Sequence, residues 1–123
     1  ENMENFEADY LTNMTLEFTI TRRGERGVLL EVLDGQFSLN DTTFEFDEGL
    51  GIAGRPTEGR FNGTIVFGFR INVTGPNGEV AQLEFRGIVK RTLEHGPLLV
   101  MQGRLVLEDQ VFVFRQIGRI HRI

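Results

Sequence analysis

Apolar and polar side chains alternate with a period of two from Met14 onward, and this pattern predicts strands. Met14, Leu16, Phe18 and Ile20 alternate with Thr15, Glu17, Thr19 and Thr21, as in a strand with one face buried. Arg23-Gly24-Glu25-Arg26-Gly27 reads as a turn. Val28 to Leu33 is a more uniformly apolar strand, stopped by Asp34-Gly35, a dipeptide that commonly closes hairpins. Phe37 and Leu39 lead to a tight turn at Asn40-Asp41, after which Thr42, Phe44 and Phe46 alternate with Thr43 and Glu45. Gly49 to Gly54 is then a glycine-rich stretch, a kinked barrel strand or a glycine loop, closed by Pro56.

The longest expected strand follows. Phe61, Gly63, Ile65, Phe67, Phe69, Ile71 and Val73 share one face, and Asn62, Thr64, Gly68, Arg70, Asn72 and Thr74 share the other. Gly75-Pro76-Asn77-Gly78 is the strongest turn signal in the chain. The return strand sets Ala81, Leu83, Phe85, Gly87 and Val89 against Gln82, Glu84, Arg86 and Lys90. His95-Gly96-Pro97 turns again, and Leu98 to Leu107 pairs with Val111 to Phe114 around Glu108-Asp109-Gln110. Beyond Gln116 the register is unclear, and Gly118 reads as a bulge.

About eight or nine strands result, joined by turns too short for the crossovers that parallel pairing needs. The expected fold is an all-β antiparallel meander, a small β-barrel or a barrel-like sandwich. Glycines at Gly63, Gly68, Gly87 and Gly103 favour strongly curved strands and a small, nearly closed barrel with a Phe-rich interior. Residues 1–12 stand apart as an N-terminal arm or plug, extended or a short helix, before a single β domain over 13–123. Within the first ten residues Glu1, Glu4, Glu7 and Asp9 have no basic neighbour, and Met3, Phe6 and Tyr10 need burial somewhere.

Composition narrows the function classes. A chain of 123 residues is the size of one domain. Its 18 acids and 13 bases leave a net charge of −5, the wrong sign for a nucleic-acid binder. No apolar run approaches the roughly 18 residues of a membrane helix. There is no Cys, which excludes disulfides, thiolate catalysis and Cys-type metal sites.

Candidate chemistry is thin. Gly49, Gly51 and Gly54 spell G-x-G-x-x-G, but Arg55-Pro56 and a polar turn follow where a dinucleotide site needs a helix N-terminus. Glu45, Asp47 and Glu48, and again Glu108 and Asp109, pair carboxylates at strand ends without the alternating oxygen ligands of a calcium loop. The two histidines, His95 and His121, have no nucleophile to serve: Ser38 is the only serine and sits mid-strand. No catalytic residue, metal or cofactor is expected.

Asn-x-Thr triplets are the clearest signal. Asn13, Asn40, Asn62 and Asn72 each begin one, where chance placement of seven Asn and eleven Ser plus Thr predicts roughly 0.6. Asn13, Asn62 and Asn72 fall on polar strand faces and Asn40 in a turn, positions that accept a glycan without disturbing a core. The chain begins with Glu1 rather than Met, as a processed secreted chain would.

The strand pattern from Phe61 to Val89, Gly103-Arg104-Leu105 and the closing Arg-Ile-His-Arg-Ile resemble small secreted archaeal all-β cell-surface domains of unassigned activity. In class the chain is also similar to donor-strand filament subunits. The resemblance implies an extracellular, glycosylated, non-enzymatic protein and transfers no catalytic residue. Its termini carry opposite charge, with Arg115, Arg119 and Arg122 at the far end, so head-to-tail homo-oligomers or polymers are expected. Met3, Phe6, Tyr10, Arg115, Arg119 and Arg122 are the expected contacts. The alternative is a lipocalin-like or avidin-like binding module holding an apolar ligand among the Phe side chains.

Overall fold

The computed structural model describes residues 12–25, 27–59, 63–94 and 96–119. Seven antiparallel strands form one sheet in chain order. They are β1 (Thr12–Arg23), β2 (Gly27–Leu39), β3 (Thr42–Gly54), β4 (Val66–Thr74), β5 (Val80–Thr92), β6 (Gly96–Leu107) and β7 (Gln110–Arg119). No helix occurs among the described residues. The all-β antiparallel meander is therefore as the alternation predicts. The strand count is seven rather than eight or nine, and the sheet is not closed into a barrel. Thr12 belongs to β1, where it pairs with Leu39, and residues 1–11 lie outside the described residues.

A lone sheet must bury one face, and with no second layer among the described residues this one rolls on itself. Phe37 of β2 meets Phe114 of β7 with ring centroids 4.8 Å apart. Phe18 of β1 packs edge-on against Phe69 of β4 at 5.8 Å. Phe44, Phe46, Phe67 and Phe85 join them inside with Ile71, Val73, Leu83 and Leu105. The Phe-rich interior is present without full closure.

One reading of a turn is corrected. Asp34-Gly35 does not end a strand; it lies within β2, where Leu33 is an extra residue opposite the Glu17–Phe18 step of β1. Asp47 and Glu48 form a matching bulge in β3, two residues facing the single Asn72 of β4. The bulges act together to hold the apolar set inward. Leu30 and Val32 are buried before the bulge in β2, Phe37 and Leu39 after it, and a strand without the extra residue would turn one pair outward. Gly35 suits this bend because its φ is 153° and a side chain there would strike the Phe46 ring.

Of the two readings of the Gly49–Gly54 run, the strand is the one observed. Of its inward glycines, Gly49 faces Ile71 and Gly51 lies under its cross-strand neighbour Phe69, whose ring carbons would be 2.5 Å from an added Cβ. A similar arrangement recurs at Gly103, which pairs with Phe85 on one side and Phe114 on the other; Gly87 pairs with Phe67, but an added Cβ there would strike the Val100 carbonyl oxygen and Met101. Glycine removes the wall that would otherwise hold these rings off the sheet, so the strands can curl tightly around large side chains. Glycine density here marks curvature.

Elsewhere the turns are where the sequence puts them. Gly75–Gly78 joins β4 to β5, closed by the Gly78 N–H on the Gly75 carbonyl at 3.1 Å. Asn40-Asp41 joins β2 to β3, with Asn40 left-handed at φ 54°. The strand expected from Phe61 begins only at Val66, and Gly63 instead donates its N–H to the Pro56 carbonyl at 3.0 Å. Gly118 is no bulge, since β7 pairs with β6 through Arg119 without a register shift.

Candidate functional site

Two sheet edges remain, and they run the same way. Every pairing from β1 to β7 is antiparallel, so odd-numbered strands share one direction. Joining β1 directly to β7 would make a parallel pair and break the pattern. Among the described residues each of these strands is paired on one side only. β1 offers 12 residues and β7 offers 10, both without Pro. Long strands of this kind present backbone N–H and C=O groups that template pairing with another chain.

Side chains along this seam are those of an unfinished interior. On β1, Phe18 and Ile20 continue the inward row of Met14 and Leu16, yet remain 38% and 41% exposed. On β7, Phe112, Phe114, Gln116 and Gly118 face inward by alternation, and Arg115, Ile117 and Arg119 face outward. Arg115 and Arg119 are exposed. Met3, Phe6, Tyr10 and Arg122 lie outside the described residues.

The outer face of β4–β6 carries a charge ladder that sequence reading did not single out. Glu84 stands between its cross-strand partners Arg70 and Arg104. Arg70 reaches one carboxylate oxygen at 3.0 Å and Arg104 reaches the other at 2.9 Å. The turn signal held the key: a hairpin centred on Gly75–Gly78 pairs Thr74 with Val80 and, four residues further out on each strand, Arg70 with Glu84. Hydrogen bonding from Arg104, with the charge of both guanidinium groups, holds the Glu84 carboxyl below its ordinary pKa of 4.5 against a modest opposing effect of desolvation.

A folded-state pKa below the unfolded value stabilises the fold above the unfolded pKa and loses that contribution as pH falls through the folded one. Both arginines are largely exposed, so Glu84→Gln is expected to cost less than about 1 kcal/mol at neutral pH. In urea titrations the gap to wild type should narrow below pH about 4.5. A gap that is constant from pH 7 to pH 3 would contradict the ion-pair origin.

A shallow hollow of about 470 Å³ opens beside this ladder at the β3 bulge, bordered by Glu31, Asp47, Glu48, Arg70 and Asn72. Asp47 takes the Thr74 hydroxyl at 2.6 Å, which ties the bulge to β4. Among the described residues no three His, Cys, Asp or Glu side chains group as metal ligands do. Glu108 and Asp109 form the β6–β7 turn, with Glu108 left-handed at φ 56°. The Ser38 hydroxyl shares a hydrogen bond with that of its cross-strand partner Thr43 at 3.1 Å. Gly49, Gly51 and Gly54 sit on β3 with no helix after them. His95 and His121 lie outside the described residues.

Asn13 on β1, Asn40 in its turn and Asn72 on β4 are all exposed, and Asn62 lies outside the described residues. A glycan on Asn72 would stand at the rim of the hollow. No protein-family model, curated protein or solved structure matches the chain.

Proposed function

We propose that the chain is a non-enzymatic, secreted, N-glycosylated structural subunit of an extracellular or cell-surface assembly, such as a filament, sheath or matrix. Neighbouring copies join through the N-terminal residues and the open edges of the sheet. The observation that carries this reading is the pair of long edges, β1 and β7, which run in one direction and so have no antiparallel partner in each other. The interior supports it too, because Phe37, Phe114, Ile71, Leu83 and Leu105 fill the space that an apolar ligand would need. On this reading the barrel expected from the alternation is completed on assembly, by a strand added between β7 and β1. The exposed Asn13, Asn40 and Asn72 leave the sequons accessible for glycan transfer, and the archaeal resemblance points to the same class.

The test is protein from its natural source, followed by sedimentation velocity, negative-stain imaging and intact-mass analysis. Species larger than one chain that grow with concentration are expected, with hexose-containing mass on at least two of Asn13, Asn40, Asn62 and Asn72. A strictly monomeric protein at high concentration would overturn the assembly, and a bare mass would overturn the glycans.

A further inference from the structure

Three inward glycines in this sheet pair with an aromatic residue and a fourth, Gly49, with Ile71, whereas Gly118 has open space beside it. Gly51, Gly87 and Gly103 are each paired with a Phe on a neighbouring strand. Gly118 faces inward on β7 with Leu99 on its β6 side, and its other side is the sheet edge. A methyl group placed on Gly118 would touch only Met101 Cε among the described residues, at 3.7 Å, whereas at Gly51 and Gly103 rings crowd that space.

Across the seam the count is consistent. Phe37 pairs with Met14 of β1 and touches Phe114 of β7, which sets those two edge residues at one level. Four residues on along the two strands come Phe18 and Gly118. Between them stand an exposed ring and a bare glycine, with β1 and β7 pointing the same way. The strand that satisfies both edges is antiparallel to each. It carries an aromatic residue inward and, beside Arg115 and Arg119, acids outward.

We infer that this strand is residues 6–10 of a second copy. Phe6, Ala8 and Tyr10 alternate with Glu7 and Asp9, so one face is aromatic and the other acidic. Phe6 or Tyr10 lies over Gly118 and against Phe18, while Glu7 and Asp9 face the exposed cations of β7. The added strand supplies backbone hydrogen bonds to both edges, as in β-strand addition between chains. A second copy is favoured over the same chain because Asp9-Tyr10-Leu11-Thr12 holds no Gly, Asn or Pro for the tight hairpin that would fold the segment back on β1. This inference rests on the assembly reading above and names the contact that performs it.

Because the chain has no native Cys, a cross-link reports this contact without background. Full-length protein carrying Gly118→Cys with either Phe6→Cys or Tyr10→Cys is oxidised, separated without reductant and mapped by peptide mass. The expected result is covalent multimers in which a peptide with position 6 or 10 is bonded to one with position 118. An intramolecular link at monomer mass overturns docking between copies. Wild type that assembles while the pairs give no 6–118 or 10–118 link overturns this contact and leaves the assembly reading standing; monomeric wild type overturns both. Gly118→Ile provides a second readout, since the described residues leave room for the side chain. It should weaken association at least tenfold with the urea midpoint unchanged, and unaltered association would also overturn the inference.

Discussion

Gly103→Ala is expected to cost the fold about 1–3 kcal/mol, and Gly68→Ala within about 0.5 kcal/mol of nothing. Both replace a hydrogen by a methyl in the middle of a sheet strand, and neither glycine needs a positive φ. The faces differ. At Gly103 the new Cβ would lie 2.5 Å from the Glu84 carbonyl oxygen, 2.6 Å from Phe85 Cβ and 2.8 Å from Phe114 Cζ. Two of those atoms belong to or adjoin backbone held by the β5–β6 ladder, and the third is a ring wedged against Phe37. None is the loose end of a flexible side chain. At Gly68, on the outer face, the nearest atom is 3.7 Å away, which is ordinary contact. Alanine there also removes freedom from the unfolded chain, so a small gain is possible in sign. Urea midpoints of the two variants decide the matter. Equal losses would mean that glycine is required for backbone flexibility in the sheet and not for the approach of the rings.

How legible this fold is depends on which signal each segment sends. Period-two alternation is direct evidence of strands, and β1, β4 and β5 follow it because each has one inward face. Asn40-Asp41, Gly75–Gly78 and Glu108-Asp109 were legible because turn chemistry is local. Asp34-Gly35 misleads, and Gly49–Gly54 stays open between strand and loop, for one reason: glycine and aspartate serve bulges and close ring approach as well as turns, and only the partner strand distinguishes these uses. The bulge at Leu33 depends on Glu17 and Phe18, and Gly51 depends on Phe69, each in another strand. Closure was unreadable for the same reason, since it depends on what lies beyond β1 and β7. Gly118 reads as a bulge in the sequence because its unbroken pairing with Leu99 becomes visible only once the register is known.

Phe37→Ala is expected to be among the most damaging single substitutions, with a loss of about 3–5 kcal/mol. Phe37 and Phe114 are 0% and 2% exposed, and their rings meet at a centroid distance of 4.8 Å and an interplanar angle of 40°. They come from β2 and β7, strands that share no hydrogen bonds, so this contact holds the roll where the backbone ladder cannot. Truncating either ring removes apolar burial and leaves a cavity that neighbours on curved, paired strands cannot readily collapse to fill. The loss would consume a large part of the 5–15 kcal/mol typical of a domain. Phe114→Ala should cost a similar amount. The double variant should lose less than the sum, by about 0.5–1.5 kcal/mol, the usual coupling of an aromatic pair. Phe18→Ala is the internal comparison, because that ring also packs edge-on against Phe69 but is 38% exposed at the seam. Its loss should be about 1 kcal/mol, consistent with a ring that is only partly removed from water. Thermal and urea unfolding of the four variants would measure these differences. If Phe37→Ala costs no more than Phe18→Ala, or if the Phe37 and Phe114 losses are strictly additive, the roll is held by strand curvature alone and not by the pair that bridges it.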